Sequence, residues 1–251
     1  MSPPWAADAT APVETSGAYA GGVDSEADLA AVAGLIGDPV RAAILLSLLG
    51  GPPLRAGDLA RRSRVSPSLA SMHLKRLLDG GLVEVEQEGR ERRYRVADPG
   101  VARAVEGLLR IAPRRPVNSL RESQRGEALR TGRSCYDHLA GRLGVGLTEA
   151  MSAQRLLRPA DGSYRLTRAG RARLEDLGVD VASAQSKRRS FARQCLDWTE
   201  RRPHLAGALG AAVADRLFEV RWLERREGTR AVRLTPAGER RLLEEFGLQV
   251  P

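Results

Sequence analysis

The side chains best suited to metal or thiol chemistry are few and lie mostly in the C-terminal half. The chain of 251 residues has two cysteines and three histidines. Four of these five form two pairs, Cys135 with His138 and Cys195 with His204, and each pair has an aspartate beside it. All three residue types bind metals, and a spacing of three places Cys135 and His138 on one face of a helix. The two pairs are therefore a candidate metal site.

Three interpretations of these pairs stay open. They bind a metal, they sense oxidation through their thiols, or they pack in a core where each imidazole bonds the neighbouring aspartate. The inserted segment WTERRP separates Cys195 from His204 and breaks the match between the two pairs. This mismatch weakens the metal interpretation, so the sequence predicts no metal ligands and no cofactor. A metal-sensing or thiol-redox-sensing role is kept as the alternative.

Aromatic and cationic residues near the same pairs favour a pocket for a small organic effector. Such pockets combine apolar walls with a few polar anchors, and arginine beside histidine favours an anionic ligand. The alternative is that these aromatic residues simply fill a core. The predicted effector residues are Cys135, Tyr136, His138, Cys195, Trp198, Arg201, His204 and Trp222.

A second set of side chains, between residues 66 and 93, is suited to contacts with DNA. Hydroxyl, imidazole and cationic groups bind phosphates and the edges of bases. The predicted contacts are Ser66, Ser68, Ser71, His73, Lys75, Arg76, Arg90, Arg92 and Arg93. A winged-helix module that binds protein instead of DNA is the alternative.

Residues 56–96 must position these groups, and their pattern predicts a helix-turn-helix followed by a β-hairpin. Ser66 is a suitable N-cap, Pro67 fits the first helical position, and Gly80-Gly81 ends the second helix. The apolar residues of that helix are Leu69, Met72, Leu74, Leu77 and Leu78. Alternating residues around Gly89 predict the hairpin. A second helix of this kind can enter the major groove of DNA.

Residues 28–110 resemble the ArsR/SmtB family of bacterial transcription regulators. The matching stretches are DPVRAAIL at 38–45, SPSLASMHLKRL at 66–77, GLV at 81–83 and RRY at 92–94. The resemblance implies a homodimer that binds an operator and responds to an effector, with the first helix and the helix after Asp98-Pro99 as the dimer interface. The family's usual metal positions are not filled, since residues 58–62 read DLARR without cysteine. The common metal response of the family is therefore not expected.

The predicted fold is mainly α with small β-hairpin wings, in the α+β class. We expect a disordered tail at 1–24, a winged helix-turn-helix domain at 25–112 and a basic linker helix at 113–133. Two degenerate winged-helix-like repeats follow at 134–182 and 183–251, and they form the regulatory region. The repeats are inferred from matching stretches such as LTRAG at 166–170 and LTPAG at 234–238.

Composition favours a regulator that binds a polyanion. The net charge is +9, which suits DNA as a partner. No apolar run reaches about 18 residues and the N-terminus lacks the features of a secretion signal, so we expect no membrane contact and a cytoplasmic location. Common catalytic motifs are absent, so an enzyme is not expected. The sequence predicts an effector-responsive repressor that binds a palindromic operator as a homodimer.

Overall fold

The computed structural model describes residues 27–113 and 118–249. The predicted tail at 1–24, and residues 114–117 of the predicted linker, lie outside the described residues. The N-terminal part contains α1 (Leu29–Ile36), α2 (Pro39–Leu48), β1 (Leu54–Arg55), α3 (Ala56–Ser63), α4 (Pro67–Asp79), β2 (Val83–Glu88), β3 (Glu91–Val96) and α5 (Pro99–Ile111).

Helix α4 begins and ends where the sequence predicts. The Leu69 N–H donates to the Ser66 hydroxyl, and Pro67 takes the first helical position. Arg64, in the left-handed conformation at φ 58°, ends α3 and makes the turn between the helices. Strands β2 and β3 pair on either side of Gly89, and β1 completes a sheet in the order β1-β3-β2. The predicted winged helix-turn-helix is therefore present.

The core of this part lies between α2, α3, α4 and the sheet. Its buried members include Ile44, Leu59, Leu74, Leu77 and Tyr94. Helix α1 lies at the edge of this core, because none of its residues is fully buried and only Leu35 and Ile36 at its end pack against the core. The apolar residues of its first turns, Leu29 and Val32, are left exposed by the described residues.

The C-terminal part follows α6 (Leu120–Thr131), a helix that lies within the predicted linker. Its first series is β4 (Arg133–Cys135), β5 (His138–Ala140), α7 (Gly141–Ala153), β6 (Leu157–Ala160), β7 (Ser163–Leu166) and α8 (Arg168–Asp176). After α9 (Val181–Ser186), the second is β8 (Arg193–Leu196), β9 (Pro203–Ala206), α10 (Gly207–Glu219), β10 (Leu223–Arg225), β11 (Val232–Leu234) and α11 (Pro236–Phe246). The order of hairpin, helix, hairpin and helix thus occurs twice.

Details at matching positions of the two series also agree. Gly141 and Gly207 each begin a helix at a positive φ, 75° and 83°, directly after the first hairpin. Thr167 and Thr235 cap the last helix of their series. The hydroxyl of each accepts a hydrogen bond from the backbone N–H three residues later. A duplicated sequence remains a prediction, which this repeated order supports. The predicted boundary at 182 falls inside α9.

One hydrophobic core joins the two series. Leu143, Leu174, Leu209, Leu242 and Trp222 are among its buried members. Strands β6, β7, β8 and β9 form one sheet, in which Ser163 of β7 pairs with Arg193 of β8. Within the described ranges no single helix is long and apolar enough to cross a membrane, although α1 and α2, bent by 86°, meet the criteria as a pair.

Candidate nucleic-acid interface and cysteine–histidine cluster

The outward face of α4 carries most of the predicted DNA contacts. Ser68, Ser71 and Arg76 are exposed along it, and Ser66 is exposed at its start. Lys75 is also exposed and pairs with Asp79 one turn further on, at 2.8 Å. This face combines hydroxyl donors with cations, as DNA contacts require.

Two of the five apolar residues of α4 named in the sequence analysis lie on this outward face. Leu69 is 37% exposed and Met72 is 42% exposed. Both lie on the side of the helix that carries Ser68 and Arg76, whereas the buried row is formed by Ala70, Leu74 and Leu77. Apolar side chains on a recognition helix can contact thymine methyl groups.

The predicted DNA contact of His73 is wrong, because its side chain lies in the core. His73 is 5% exposed, and its Nδ1 lies 3.5 Å from a carboxylate oxygen of Asp38. It follows Ala70 by three residues and precedes Leu77 by four, so it belongs to the buried row of the helix. His73 therefore lies beside the start of α2, which Asp38 caps, although its Nδ1 makes no hydrogen bond within the described residues.

The wing presents two arginines without an acidic partner among the described residues. Arg90 lies at the turn and Arg92 on β3, and both are exposed. Arg93 points to the other side of the strand, where its guanidinium pairs with Glu88 at 2.8 Å and with Glu91 at 3.3 Å. Arg90 and Arg92 are therefore the wing cations most available to phosphates.

The second candidate site is the cysteine–histidine cluster, defined as Cys135, His138, Cys195 and His204. One ligand atom from each residue can be chosen so that all four lie within 4.8 Å of one another. Two hairpins build the cluster, because Cys135 pairs with His138 across β4–β5 and Cys195 pairs with His204 across β8–β9. The structure thus brings together both predicted pairs.

Two expectations about these pairs are wrong. Cys135 and His138 do not share a helical face, since they face each other across a hairpin whose two loop residues are Tyr136 and Asp137. The inserted segment 198–203 does not break the match either. It lies mainly in the loop between β8 and β9, so Cys195 remains opposite His204.

The imidazoles of the cluster are buried and largely without hydrogen bonds. Their ring centroids lie 5.1 Å apart. His138 Nδ1 lies 3.2 Å from Asp137 Oδ1, but its Nε2 is buried without a partner in the described part of the chain. Both ring nitrogens of His204 are equally unpartnered there, and Asp197 Oδ2 lies 3.8 Å from its Nδ1. Leaving such groups unsatisfied costs about 1–3 kcal/mol each.

The two thiols have opposite pKa shifts. The interaction between them, together with burial, raises the pKa of Cys135 well above its usual range. The same interaction, supported by the imidazoles of His138 and His204, holds the pKa of Cys195 far below its usual range despite burial. Proton loss from the pair therefore begins at Cys195.

Asp137 is poised to orient His138. Burial raises the pKa of the Asp137 carboxyl, but the interactions with His138 and Arg189 outweigh burial and hold it below its usual range. Burial lowers the pKa of His138, and here Asp137 and Cys195 outweigh it and raise the value. The imidazole Nδ1–H thus has a carboxylate acceptor, which leaves Nε2 facing the cluster.

A buried ion pair fixes one hairpin against the other. Arg133, which is fully buried, donates from Nη2 to Asp197 Oδ2 at 2.8 Å. The same oxygen accepts the Gly141 N–H at 2.7 Å. Asp197 Oδ1 accepts from the backbone and hydroxyl of Thr199. Asp197 therefore connects the start of β4, the start of α7 and the loop after β8.

A cleft of about 550 Å³ opens between α5 and the cluster. Four of the predicted effector residues line it, namely Cys135, Tyr136, His138 and Cys195. The spacing rules missed the rest of its wall, including Arg103 and Glu106 on α5 and Arg189 and Arg193 before and on β8, because these residues meet only in the folded chain.

The other four predicted effector residues do not line this cleft. Trp222 is packed in the C-terminal core, and Trp198 lies under the Arg133 guanidinium, 4.7 Å from ring to cation. Arg201 is exposed in the β8–β9 loop. His204 lies behind the cleft, 1% exposed, as a member of the cluster. The structure thus places these four residues outside this cleft, and their contact with an effector stays a prediction.

Comparisons with known proteins extend over both parts of the chain. Residues 36–86 match a helix-turn-helix domain family. The chain is 43% identical over 212 residues to the uncharacterized HTH-type transcriptional regulator YdfF of Bacillus subtilis (strain 168), covering 84% of this chain and 94% of that protein. It is 38% identical over 86 residues to the HTH-type transcriptional regulator CmtR of Mycobacterium tuberculosis, 34% of this chain and 72% of that protein. An ArsR-like transcriptional regulator from Rhodococcus sp. RHA1 is 33% identical, with 40% of this chain and 85% of that chain covered and a TM-score of 0.28.

Proposed function

Because the chain belongs to the HTH-type transcriptional regulators, with an ArsR-like winged helix-turn-helix, we propose that it is an effector-responsive repressor that binds a palindromic operator as a homodimer. The observation that carries the proposal is the outward face of α4 together with Arg90 and Arg92 of the wing, which have no acidic partner in the part of the chain that the structure describes. Both lie on exposed surface, where a duplex can reach them. The protein acts where its operator lies, in the cytoplasm.

Helix α4 enters the major groove, and the wing lies on the adjacent backbone. Ser68, Ser71 and Arg76 face the base edges, and Lys75 reaches a phosphate when its pair with Asp79 opens. Arg90 and Arg92 bind phosphates from the wing tip. Ser66 and Arg93 complete the contacts at the helix start and on β3. The charge on both elements favours DNA over a protein partner.

Apolar side chains left exposed on α1 and α5 support the homodimer. Leu29 is 78% exposed and Ile111 is 71% exposed, and Val32 and Leu108 are also exposed. Large exposed apolar side chains that cluster on two helices mark a surface that another molecule covers. A second copy packed against α1 and α5 gives a two-fold axis, and a two-fold dimer requires an operator with the same symmetry.

The cleft beside α5 is the proposed effector site. Its volume lies within the range of about 300–1,000 Å³ that small-molecule pockets occupy. Four arginines line it against two carboxylates, so the chemistry favours an organic anion. The arginines are Arg103, Arg110, Arg189 and Arg193, and the carboxylates are Glu106 and Asp137. Since α5 forms one wall and also belongs to the proposed dimer surface, a bound ligand can change the separation of the two α4 helices.

Selection of bound duplexes from a random-sequence pool by the purified chain tests the proposal. The expected result is a palindromic consensus with half-site centres about 10 base pairs apart, or a multiple of that spacing. The double variant Arg90→Ala/Arg92→Ala shows whether the wing contributes to binding. Its control is Arg158→Ala, which removes an exposed arginine on β6. Selection that enriches no sequence, or a double variant that binds like Arg158→Ala, would overturn the assignment.

A further inference from the structure

We propose that the cysteine–histidine cluster is a tetrahedral site for a thiophilic divalent cation of the Zn²⁺ class, which fastens the β4–β5 hairpin to the β8–β9 hairpin. The residues are Cys135, His138, Cys195 and His204, two from each hairpin. The site stands on its own geometry. Its effect on operator binding rests on the proposed function.

The donor set suits the cation. Two sulfur and two nitrogen ligands in a tetrahedron are typical of structural zinc sites, with bonds of about 2.0–2.3 Å. Those bonds set ligand separations of about 3.3–3.8 Å. The four ligand atoms already lie within 4.8 Å of one another. Side-chain movements of about an ångström therefore bring them to the separations that a tetrahedral Zn²⁺ site requires. Two thiolates neutralise the dication, which a buried position requires.

Unpartnered nitrogens point to a missing ligand. His138 Nε2 and both nitrogens of His204 are buried without hydrogen bonds among the described residues. The large majority of buried side-chain polar atoms have a hydrogen-bond partner, since an unsatisfied polar group is costly. Among the described residues His73 leaves one buried nitrogen unpartnered, whereas the two cluster histidines leave three within one small group. A cation that binds one nitrogen from each ring removes this cost at two of the three atoms. A core-packing role for the pairs leaves it in place.

One carboxylate already bonds a cluster histidine, and a second lies near the other histidine. Metal-bound histidine usually donates its other ring N–H to a carboxylate or carbonyl, which orients the ring. Asp137 Oδ1 lies 3.2 Å from His138 Nδ1, and Asp197 Oδ2 lies 3.8 Å from His204 Nδ1. Each hairpin therefore supplies a cysteine, a histidine and a carboxylate. Both cysteines bind as thiolates, so any proton that a thiol still holds is released to solvent on binding.

The site adjoins the DNA-binding part through the β4–β5 hairpin. Tyr136, next to Cys135, packs against the N-terminal core. On the other side of Cys135, the Ser134 N–H donates to the Arg230 carbonyl at 3.0 Å, and the Arg230 guanidinium pairs with Glu106 on α5. When the four ligands move towards a cation, the β4–β5 hairpin must move with them. This hairpin contacts the N-terminal core through Tyr136 and is linked to α5 through Arg230. We expect the cation to change the affinity for the operator.

The first experiment titrates Co²⁺ and Zn²⁺ into the reduced full-length chain. We expect one equivalent per chain, with the thiolate charge-transfer and d–d absorption bands of tetrahedral Co²⁺. Zn²⁺ should displace Co²⁺ and protect both thiols from alkylation. Sub-stoichiometric binding, an octahedral Co²⁺ spectrum, or thiols that react equally fast with and without Zn²⁺ would each overturn the site, and none of these readings needs a variant.

Variants then assign the ligands. Cys195→Ser and His204→Gln should weaken Zn²⁺ binding by more than the roughly 10–100-fold that loss of an outer-shell partner costs. Asp137→Asn should weaken it by about 10–100-fold, whereas Asp161→Asn, in the exposed β6–β7 turn, should leave it unchanged. His73→Gln is the matched histidine control, because it removes the histidine that lies outside the cluster. Unchanged affinity in folded Cys195→Ser, as judged by circular dichroism, would contradict the assignment.

Operator binding with Zn²⁺ and with chelator separates this inference from the proposed function. A change of at least tenfold in operator affinity, absent in Cys195→Ser, supports control by the site. Equal affinity in both conditions overturns the control and leaves the repressor proposal intact. Stoichiometric Zn²⁺ binding by a chain that selects no DNA sequence supports the site and overturns the proposed function.

Discussion

Gly50 and Ser134 lie in direct backbone contact. A Cβ atom added to Gly50 would lie 2.6 Å from the Ser134 carbonyl oxygen and 2.7 Å from the Ser134 Cβ. Gly50 follows α2 and has a φ of 99°, a backbone conformation that residues with a side chain rarely adopt. The DNA-binding part and the C-terminal part therefore meet where a side chain cannot be accommodated, one residue before Cys135.

The variant Gly50→Ala should be destabilised by more than about 1 kcal/mol, because the substitution is incompatible with the positive φ and meets Ser134. Urea denaturation of the full chain measures the effect. Gly51→Ala is the matched control, since its added Cβ would meet nothing within 4 Å. Equal stability of the two variants would show that the contact is not maintained in solution.

Replacing Arg230 by methionine should lower the free energy of unfolding by about 3–5 kcal/mol, since it leaves Glu106 buried without its partner. Adding Glu106→Gln should restore part of the loss, because the uncompensated charge is removed. Thermal denaturation of the single and double variants gives the coupling between α5 and the β10–β11 loop. A double variant that is less stable than Arg230→Met would contradict the pairing.

Arg92→Ala should weaken binding to every DNA sequence alike and reduce the slope of log affinity against log salt by about 1, because it removes one phosphate contact. Arg93→Ala should have a smaller effect on the slope, since its guanidinium is already held by Glu88 and Glu91. Fluorescence anisotropy at several salt concentrations checks both. A loss confined to particular sequences would assign Arg92 to base recognition instead.

Ser68→Ala should alter sequence preference instead of general affinity. Its hydroxyl is exposed near the start of α4, where it lies 3.1 Å from the Ser66 hydroxyl, and we place it at a base edge. The cost should be about 1–3 kcal/mol on the preferred base and little on the others. Binding to a panel of operators with single base changes measures this, and an equal loss across the panel would assign Ser68 to the backbone.

Asp38→Ala should destabilise the chain by about 1 kcal/mol at neutral pH, because Asp38 caps α2. The backbone N–H of Arg41, and then the charges of Arg41 and His73, hold the pKa of this carboxyl below its usual value despite burial. Because the pKa is lower in the folded state, the ionised carboxylate stabilises the fold at pH values above the ordinary pKa of about 3.9. This stabilisation is lost as the pH falls through the folded-state pKa. Denaturation curves from pH 7 to pH 3 should show the two proteins converging, and a constant gap would contradict it.

The winged helix-turn-helix could be predicted from sequence because its signals are local. The Ser66 cap, the glycines after α4 and the alternation of the wing each act within a few residues. His73 could also have been placed correctly, since it continues the row of Ala70 and Leu77. The exposure of Leu69 and Met72 could not, because their spacing fits a wide apolar face that only the neighbouring helices define.

The cluster was less predictable because a spacing of three has two meanings. Cys135 and His138 fit one helical face as well as the two strands that flank a two-residue loop. Tyr136 favours the hairpin over a helix, because it has a φ of 60°, which a right-handed helix does not allow, and it packs against the N-terminal core. That contact is distant in sequence. The cleft wall on α5 is equally non-local, so no pattern near Cys135 indicates it.

The placement of the four cluster residues has a consequence for synthesis of the chain. Cys135 and His138 leave the ribosome long before Cys195 and His204, so a nascent chain carries half of the ligand set until the second hairpin emerges. Cation capture can therefore begin only after the DNA-binding part has been released and can fold. A prematurely terminated product that ends in the first series would lack Cys195 and His204, which are half of the ligand set.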